Sequence, residues 1–172
     1  MYPFWDTVAN DSLAQGDCLL ACITPQFGPF FDSDGGVQEV PISEEDLIVV
    51  TQSCDLANKS VGFVALCPIQ TVEAFEAVNP DYKTRGRWEA VRKGRVPGLH
   101  LLPSPWKPED NRQAFVVDFG HIISLPHTYL QRHAGDTPGR HRLRSPYLEH
   151  FSQAFARFFM RVGLPSDIPP FK

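Results

Sequence analysis

The architecture of this chain is easiest to read from Leu47-Ile48-Val49-Val50-Thr51-Gln52-Ser53-Cys54-Asp55-Leu56. Four apolar, mostly β-branched residues run into five compact polar ones, which predicts a buried strand that ends at Thr51. Side chains at such a strand end are often functional, because a rigid scaffold positions them. Thr51, Ser53, Cys54 and Asp55 are therefore the candidate catalytic residues. The alternative is that Thr51, Ser53 and Asp55 make only the local hydrogen bonds of a turn.

Short strand-like segments surround this one at residues 18–24, 61–69, 99–102, 114–119 and 122–125. Prolines and glycines separate them, and residues 71–78 and 87–93 are predicted to form short helices. The strands at 47–51 and 61–69 are joined by residues 57–60, which we interpret as a hairpin-like connection. Cys18 and Cys22 fall on one face of their strand and are expected to be buried.

The chain carries its clearest helix near its C-terminal end, at about residues 146–162. Ser145 is a suitable N-cap, Pro146 fits the first helical position, and Gly163 and Pro165 supply the stop. Its apolar residues follow helical spacing and form one wide stripe, which is typical of a face that packs on a core. We predict an α+β protein: a small SH3-like β-barrel or rolled antiparallel sheet, closed by this amphipathic helix.

The length of 172 residues fits one domain, spanning 1–172 with the barrel at about 14–126. No apolar run approaches the roughly 18 residues needed to cross a bilayer. The first residues lack the basic region of a secretory signal, so we expect a cytoplasmic protein with no membrane association. Its four cysteines should then be thiols.

Charge is distributed unevenly along the chain. Residues 1–58 contain ten acidic residues and no Lys or Arg, whereas the remainder holds sixteen basic and ten acidic residues. Such asymmetry indicates an anion-binding face or two halves that attract each other. The candidate nucleic-acid-binding residues are Arg85, Arg87, Arg132, Arg140, Arg142 and Arg144. The last three precede a helix N-terminus, where phosphate binds readily; alternatively, they pair with the acidic N-terminal half.

Other chemistries have weaker sequence support. Cys54 next to Asp55 could be a nucleophile with one of six histidines as its base. No ligand spacing typical of a metal site is present, and neither a phosphate-binding loop nor a dinucleotide fingerprint occurs. We therefore predict no metal and no cofactor.

Two parts of the chain resemble the MazF/PemK growth-inhibitor superfamily, which has a small SH3-like barrel. Gly16-Asp17 opens an apolar strand, and the valine-rich strand ending at Thr51 is followed by a strand that ends in Pro68-Ile69-Gln70. Residues 114–118 and 122–125 loosely resemble a later segment of that family. The similarity covers about half of the chain.

The resemblance implies cleavage of single-stranded RNA by an arginine at the start of the second strand and a nearby Ser or Thr. Thr51 and Ser53 could supply the hydroxyl group. The corresponding strand start is acidic here, Glu44-Glu45-Asp46, so a cation must come from elsewhere, such as Arg85, Arg87 or Arg142. Metal-free cleavage needs a base for the 2′-hydroxyl proton and a cation or donor for the phosphorane.

The leading hypothesis is thus an RNA-engaging barrel protein, with or without endoribonuclease activity, of a toxin–antitoxin or phage-defence system. The alternative is a non-catalytic subunit that binds a partner protein, such as an antitoxin, through the same barrel. The arginine clusters favour RNA. The acidic residues 44–46 and the loop with Phe27, Phe30 and Phe31 favour a protein partner. A homodimer is compatible with either hypothesis.

Overall fold

A computed structural model describes residues 3–27 and 39–160 of the chain. These residues contain eight strands: β1 (Trp5–Val8), β2 (Cys18–Pro25), β3 (Ile42–Val49), β4 (Phe63–Thr71), β5 (Leu99–Leu102), β6 (Phe115–Asp118), β7 (Ile123–Pro126) and β8 (Arg140–Leu143). The same part of the chain contains five α-helices: α1 (Ser53–Ala57), α2 (Val72–Val78), α3 (Arg85–Arg92), α4 (His127–Asp136) and α5 (Tyr147–Phe159). Phe30, Phe31, Gly163 and Pro165 lie outside the described residues.

The larger sheet has six strands, all antiparallel to their neighbours, in the order β2-β3-β4-β6-β5, with β7 also paired to β4. β4 is central because its first half pairs with β7 and its second half pairs with β6. The α+β prediction is confirmed. Among the described residues no strand pairing joins β2 to β5, so the sheet is not closed by hydrogen bonds into a barrel.

A second sheet of two strands, β1 and β8, joins the first at Gly16 and Asp17. The Gly16 N–H donates to the Val49 carbonyl (2.9 Å), and the Leu143 N–H donates to the Gly16 carbonyl (3.1 Å). Asp17 in turn accepts at its carbonyl from the Val49 N–H (2.9 Å) and forms a bridge with Arg142 in β8. This two-residue segment therefore connects both sheets.

Gly16 is required by both its backbone and its neighbours. Its φ is +82°, and a Cβ there would come within 2.9 Å of the Leu143 Cβ. We expect Gly16→Ala to lower the free energy of unfolding by about 1–3 kcal/mol, measured by urea denaturation. Gly62→Ala is the matched control, because a Cβ at Gly62 has nothing within 4 Å. Equal stability of both variants would contradict this role.

β2 contains a bulge that α4 holds in place. Between Leu19 and Cys22 the register against β3 shifts by one residue, and Ala21 has a φ of +53°. The Ala21 N–H donates to Asp46 (2.9 Å), and the Tyr129 hydroxyl accepts from the Ile23 N–H (2.7 Å). Cys18 and Cys22 are buried as predicted.

The predicted C-terminal helix is confirmed as α5. Phe151 on this helix is fully buried, and its ring centroid lies 5.6 Å from that of Phe119. The start of the helix differs from the prediction: Pro146 is the N-cap, helical residues begin at Tyr147, and no side chain caps the helix. Ser145 precedes the cap residue and accepts no cap hydrogen bond from a backbone N–H, so its predicted role is wrong.

Three local expectations are corrected. The connection between the consecutive antiparallel strands β3 and β4 is longer than residues 57–60, because it also contains the short helix α1, in which the backbone N–H groups of Asp55 and Leu56 bond back to the Gln52 carbonyl. The arginine-rich residues 140–144 include strand β8, which the sequence did not predict. β3 begins at Ile42, so the acidic residues 44–46 lie within the strand. Among the described residues, no helix has the length and apolarity needed to span a membrane.

Candidate functional site

The polar residues after β3 bind the backbone around them. The Thr51 hydroxyl accepts from the Ala65 N–H (2.8 Å), and the Ser53 hydroxyl accepts from the Gln15 N–H (3.0 Å). The Asp55 carboxylate and carbonyl accept from the Ser60 hydroxyl (3.5 and 3.1 Å). These contacts are the local hydrogen bonds of the turn alternative, and they bring no cation to the predicted catalytic residues.

Cys54 is exposed at the start of α1. Its Sγ lies 3.7 Å from Gln52 Oε1 and 3.9 Å from Asp55 Oδ1. In the part of the chain that the structure describes, no histidine contacts this sulfur. The partner that a thiol nucleophile needs is therefore not found among residues 3–27 and 39–160.

Gln15 joins the end of β3 to α5. Its Nε2 donates to the Val50 carbonyl (2.9 Å), and its Oε1 accepts from the Ser152 hydroxyl (2.9 Å). The strand end that carries the candidate catalytic residues is thus fixed to the C-terminal helix. These contacts indicate a structural role for Gln15 and for the strand end that it holds.

Two of the candidate nucleic-acid-binding arginines surround a buried carboxylate. Asp17 is fully buried, and its Oδ2 lies 3.2 Å from Arg140 Nε while its Oδ1 lies 2.5 Å from Arg142 Nε. The Arg140 side chain is only 1 % exposed, and it also donates to the carbonyls of Asn10 and Ser12. This Asp17–Arg140–Arg142 group pairs the basic segment with the acidic N-terminal half, as one of the two interpretations expected.

The other candidate arginines lie nearer to solvent. Arg144 forms an exposed ion pair with Asp6 (3.3 Å). Arg132 is exposed on α4, and Arg85 and Arg87 are exposed on α3. The Arg87 guanidinium lies 5.6 Å from the centre of the Tyr82 ring. The six arginines are therefore not gathered at one site.

A different group of side chains does converge, in what we call the two-histidine pocket. This cavity of about 360 Å³ lies between β5, the end of α3 and α5. It is lined by two imidazoles, two guanidinium groups, one amide and apolar neighbours: His100, His150, Arg92, Arg157, Gln153, Val91, Gly94, Leu101 and Ala154. Of the basic residues on α3, Arg92 lines it.

His100 is the partly buried imidazole of this pocket. Its ring stacks near Phe119 (5.8 Å between centroids) and meets Phe151 edge-on at the same distance. Burial, and to a smaller extent the positive charge of the nearby His150, lowers the pKa of His100 to about 4. His100 is therefore neutral at neutral pH.

This histidine should make the protein less stable in acid. An unfolded histidine has a pKa near 6.5, so the unfolded state binds the proton more strongly than the folded state. Its stabilising contribution is complete above about pH 6.5 and is lost as the pH falls through about 4, by about 3 kcal/mol at most. We expect His100→Phe to flatten the decline of unfolding free energy between pH 6.5 and 4, measured by urea denaturation. The exposed His121→Phe should keep the wild-type slope, and an unchanged slope in His100→Phe would contradict the assignment.

The two guanidinium groups of the pocket differ in their partners. Arg92 Nη2 lies 2.8 Å from Glu89 Oε2 in an exposed pair, and such pairs exchange readily for another anion. The Arg157 guanidinium makes no ion pair or hydrogen bond with residues 3–27 or 39–160. It is thus the cation of the pocket that is most open to a ligand.

No motif in the sequence predicts this pocket. His100 alternates with leucines in a strand, and His150 lies on the distant helix α5, so no motif joins them. One signal was present: His150, Gln153 and Arg157 have i, i+3 and i+7 spacing, which places these three polar groups on one face of α5.

No group of His, Cys, Asp and Glu side chains in the described residues could hold a metal ion. Burial raises the pKa values of Cys22 and Cys67 to about 12, so both thiols stay protonated.

Searches of protein-family models, curated proteins and solved structures found no match to this chain.

Proposed function

We propose that this protein binds single-stranded RNA at the two-histidine pocket and cleaves it without a metal ion. The observation that carries the proposal is the convergence of two imidazoles and two guanidinium groups on one cavity. Imidazoles transfer protons near neutral pH, and guanidinium groups bind phosphate through bidentate hydrogen bonds. RNA supplies both the anion and a neighbouring hydroxyl nucleophile.

The reaction is a transesterification within the RNA. The ribose 2′-oxygen attacks the adjacent phosphorus, the new P–O2′ bond forms, and the P–O5′ bond breaks. Neutral His100 takes the 2′-hydroxyl proton, and His150 gives a proton to the leaving 5′-oxygen. The products are a 2′,3′-cyclic phosphate and a 5′-hydroxyl end, and proton exchange with water restores both histidines.

Arg157 and Arg92 stabilise the negative charge that grows on the phosphorane oxygens. A phosphate bound beside His100 also favours the protonated imidazole, which raises its pKa from the low value of the empty pocket and makes it a stronger base. The exposed Arg85 and Arg87, on the same helix as Arg92, extend the positive surface along α3 for the RNA backbone.

We extend the proposal to the fold and the biological setting. The consecutive antiparallel strands β2, β3 and β4, with Gly16 and Asp17 leading into the first, support a relation to the SH3-like barrels of the MazF/PemK superfamily. On that relation the protein acts in the cytoplasm, in a toxin–antitoxin or phage-defence system. Its cleavage residues are His100 and His150, whereas the resemblance alone implied Thr51 and Ser53.

The test is a cleavage assay with a long labelled single-stranded RNA in the presence of EDTA. The wild-type protein should cut it and leave 2′,3′-cyclic phosphate ends, while DNA of the same sequence stays intact. Ser53→Ala should cleave at the wild-type rate, and His150→Ala should not cleave detectably on the same time scale. Added salt should weaken RNA binding steeply, because counterions are released from the RNA.

Each result has a definite meaning for the proposal. Loss of cleavage in Ser53→Ala, with full activity of His150→Ala, would move the site to the end of β3. No cleavage across pH and salt would contradict the nuclease proposal and leave the protein-binding alternative in its place.

A further inference from the structure

A second cavity adjoins the two-histidine pocket on the side of the turn between α3 and β5. Its volume is about 230 Å³, and it shares Gly94, His100, Ala154 and Arg157 with the first cavity. A ligand that contacts Arg157 can therefore extend into either space. We call this second cavity the apolar cleft.

The apolar cleft differs from the pocket in chemistry. Apart from the shared residues, its lining has no charged side chain and no side-chain hydrogen-bonding group: Val96, Pro97, Gly98, Leu99, Phe119 and Phe158. The combined space is thus charged at one end and apolar and aromatic at the other. A nucleotide matches both ends, since it joins an anionic phosphate to a flat ring.

The wall of the cleft is well defined. Gly98 has a φ of +92°, and a Cβ there would lie only 3.1 Å from the Phe158 ring, so the turn passes close to this aromatic side chain. The Gly98 carbonyl accepts from the Phe119 N–H (2.7 Å), which fixes the turn to β6. A cleft whose wall is already fixed loses little conformational entropy when an aromatic ring binds in it.

We infer that the apolar cleft holds the nucleobase attached to the phosphate in the two-histidine pocket. The inference rests on the proposed assignment of that pocket to RNA phosphate. Stacking on aromatic and apolar groups tolerates every base, and the cleft has no side-chain donor or acceptor that reads base edges. The site therefore takes single-stranded RNA with an unpaired base at the cut and shows little preference among bases there.

The test compares two probes that differ only in the base, adenosine 5′-monophosphate and ribose 5-phosphate, by isothermal titration. Adenosine 5′-monophosphate should bind about tenfold or more tightly to the unaltered protein. Cytidine 5′-monophosphate should bind within a few-fold of the adenosine probe. Equal affinity for the adenosine and ribose probes, or no binding of either, would overturn the inference.

Variants assign the two parts of the site. Arg157→Ala should weaken both probes equally, whereas Phe158→Ala should remove the advantage of the base and leave ribose 5-phosphate unchanged. Val96→Asp, in the partly exposed turn, is a second variant that places a carboxylate in the cleft and should lower only the affinity of the base-containing probes. RNA cleavage with equal affinity for both probes would support the proposed function and overturn this inference. Base-dependent binding without cleavage would support the inference and contradict the nuclease activity.

Discussion

Replacing Asp17 by Asn should destabilise the protein by about 3–5 kcal/mol, because it leaves buried positive charge without its partner. The Arg140 side chain is 1 % exposed and Asp17 is fully buried, so water cannot replace the lost carboxylate. Arg142 loses two contacts with the same group, at 2.5 and 2.9 Å. Urea denaturation at pH 7 measures the loss.

The matched control is Asp6→Asn, which removes the exposed ion pair with Arg144. Exposed pairs contribute about 0–1 kcal/mol, so this variant should remain close to the wild type. Combining Asp17→Asn with Arg140→Met should recover part of the loss, because the unpaired charge leaves with the arginine. A loss below 1 kcal/mol for Asp17→Asn would show that the Asp17–Arg140–Arg142 group does not hold the two sheets together.

Replacing His150 by Ala should lower the rate of RNA cleavage by about 10²–10⁴-fold, the usual contribution of a positioned proton donor. His150 is exposed on α5, so its removal should leave the unfolding free energy nearly unchanged. His121→Ala is the control, since it removes an exposed histidine that does not line the pocket. Initial rates on a labelled RNA measure both variants.

A modified substrate separates proton donation from mere positioning. An RNA whose leaving 5′-oxygen is replaced by sulfur needs no proton donor, because a thiolate leaves readily. His150→Ala should cleave this RNA nearly as fast as the wild type does, whereas His100→Ala should remain slow. A His150→Ala rate that stays low on the sulfur substrate would exclude the proton-donor role.

The sequence predicted those elements whose pattern depends on local burial. β3 was found because its apolar residues form a continuous run, and α5 because its apolar stripe has helical spacing. α2 was found with Thr71 at its start, and the Thr71 hydroxyl accepts from the Ala74 N–H (3.1 Å). In each case the physical signal lies within a few neighbouring residues.

Elements held by distant partners were missed. β8 consists of Arg140-His141-Arg142-Leu143, a basic sequence that forms a strand because it pairs with β1 and places two arginines on the buried Asp17. α4 was missed because its polar residues find partners far away, such as the Leu20 carbonyl for the His133 ring (2.8 Å). Neither partnership can be seen in one sequence.

The candidate functional sites also divide into features with a local sequence signal and features that depend on distant residues. The polar residues at the end of β3 were noticed because they interrupt an apolar run, yet their contacts are those of a turn. The two-histidine pocket depends on β5 and α5 packing together around Phe119 and Phe151. The spacing of polar groups along α5 is the one signal for this pocket in the sequence.

The most direct test of the two-histidine pocket follows the six imidazoles of the chain by NMR during titration with RNA. A short single-stranded 2′-O-methyl RNA is suitable, because it lacks the nucleophile and cannot be cut. Binding at this pocket should shift the ring signals of His100 and His150 and leave those of His121, His127, His133 and His141 in place. RNA binding that shifts His133 or His141, with His100 and His150 unchanged, would contradict it.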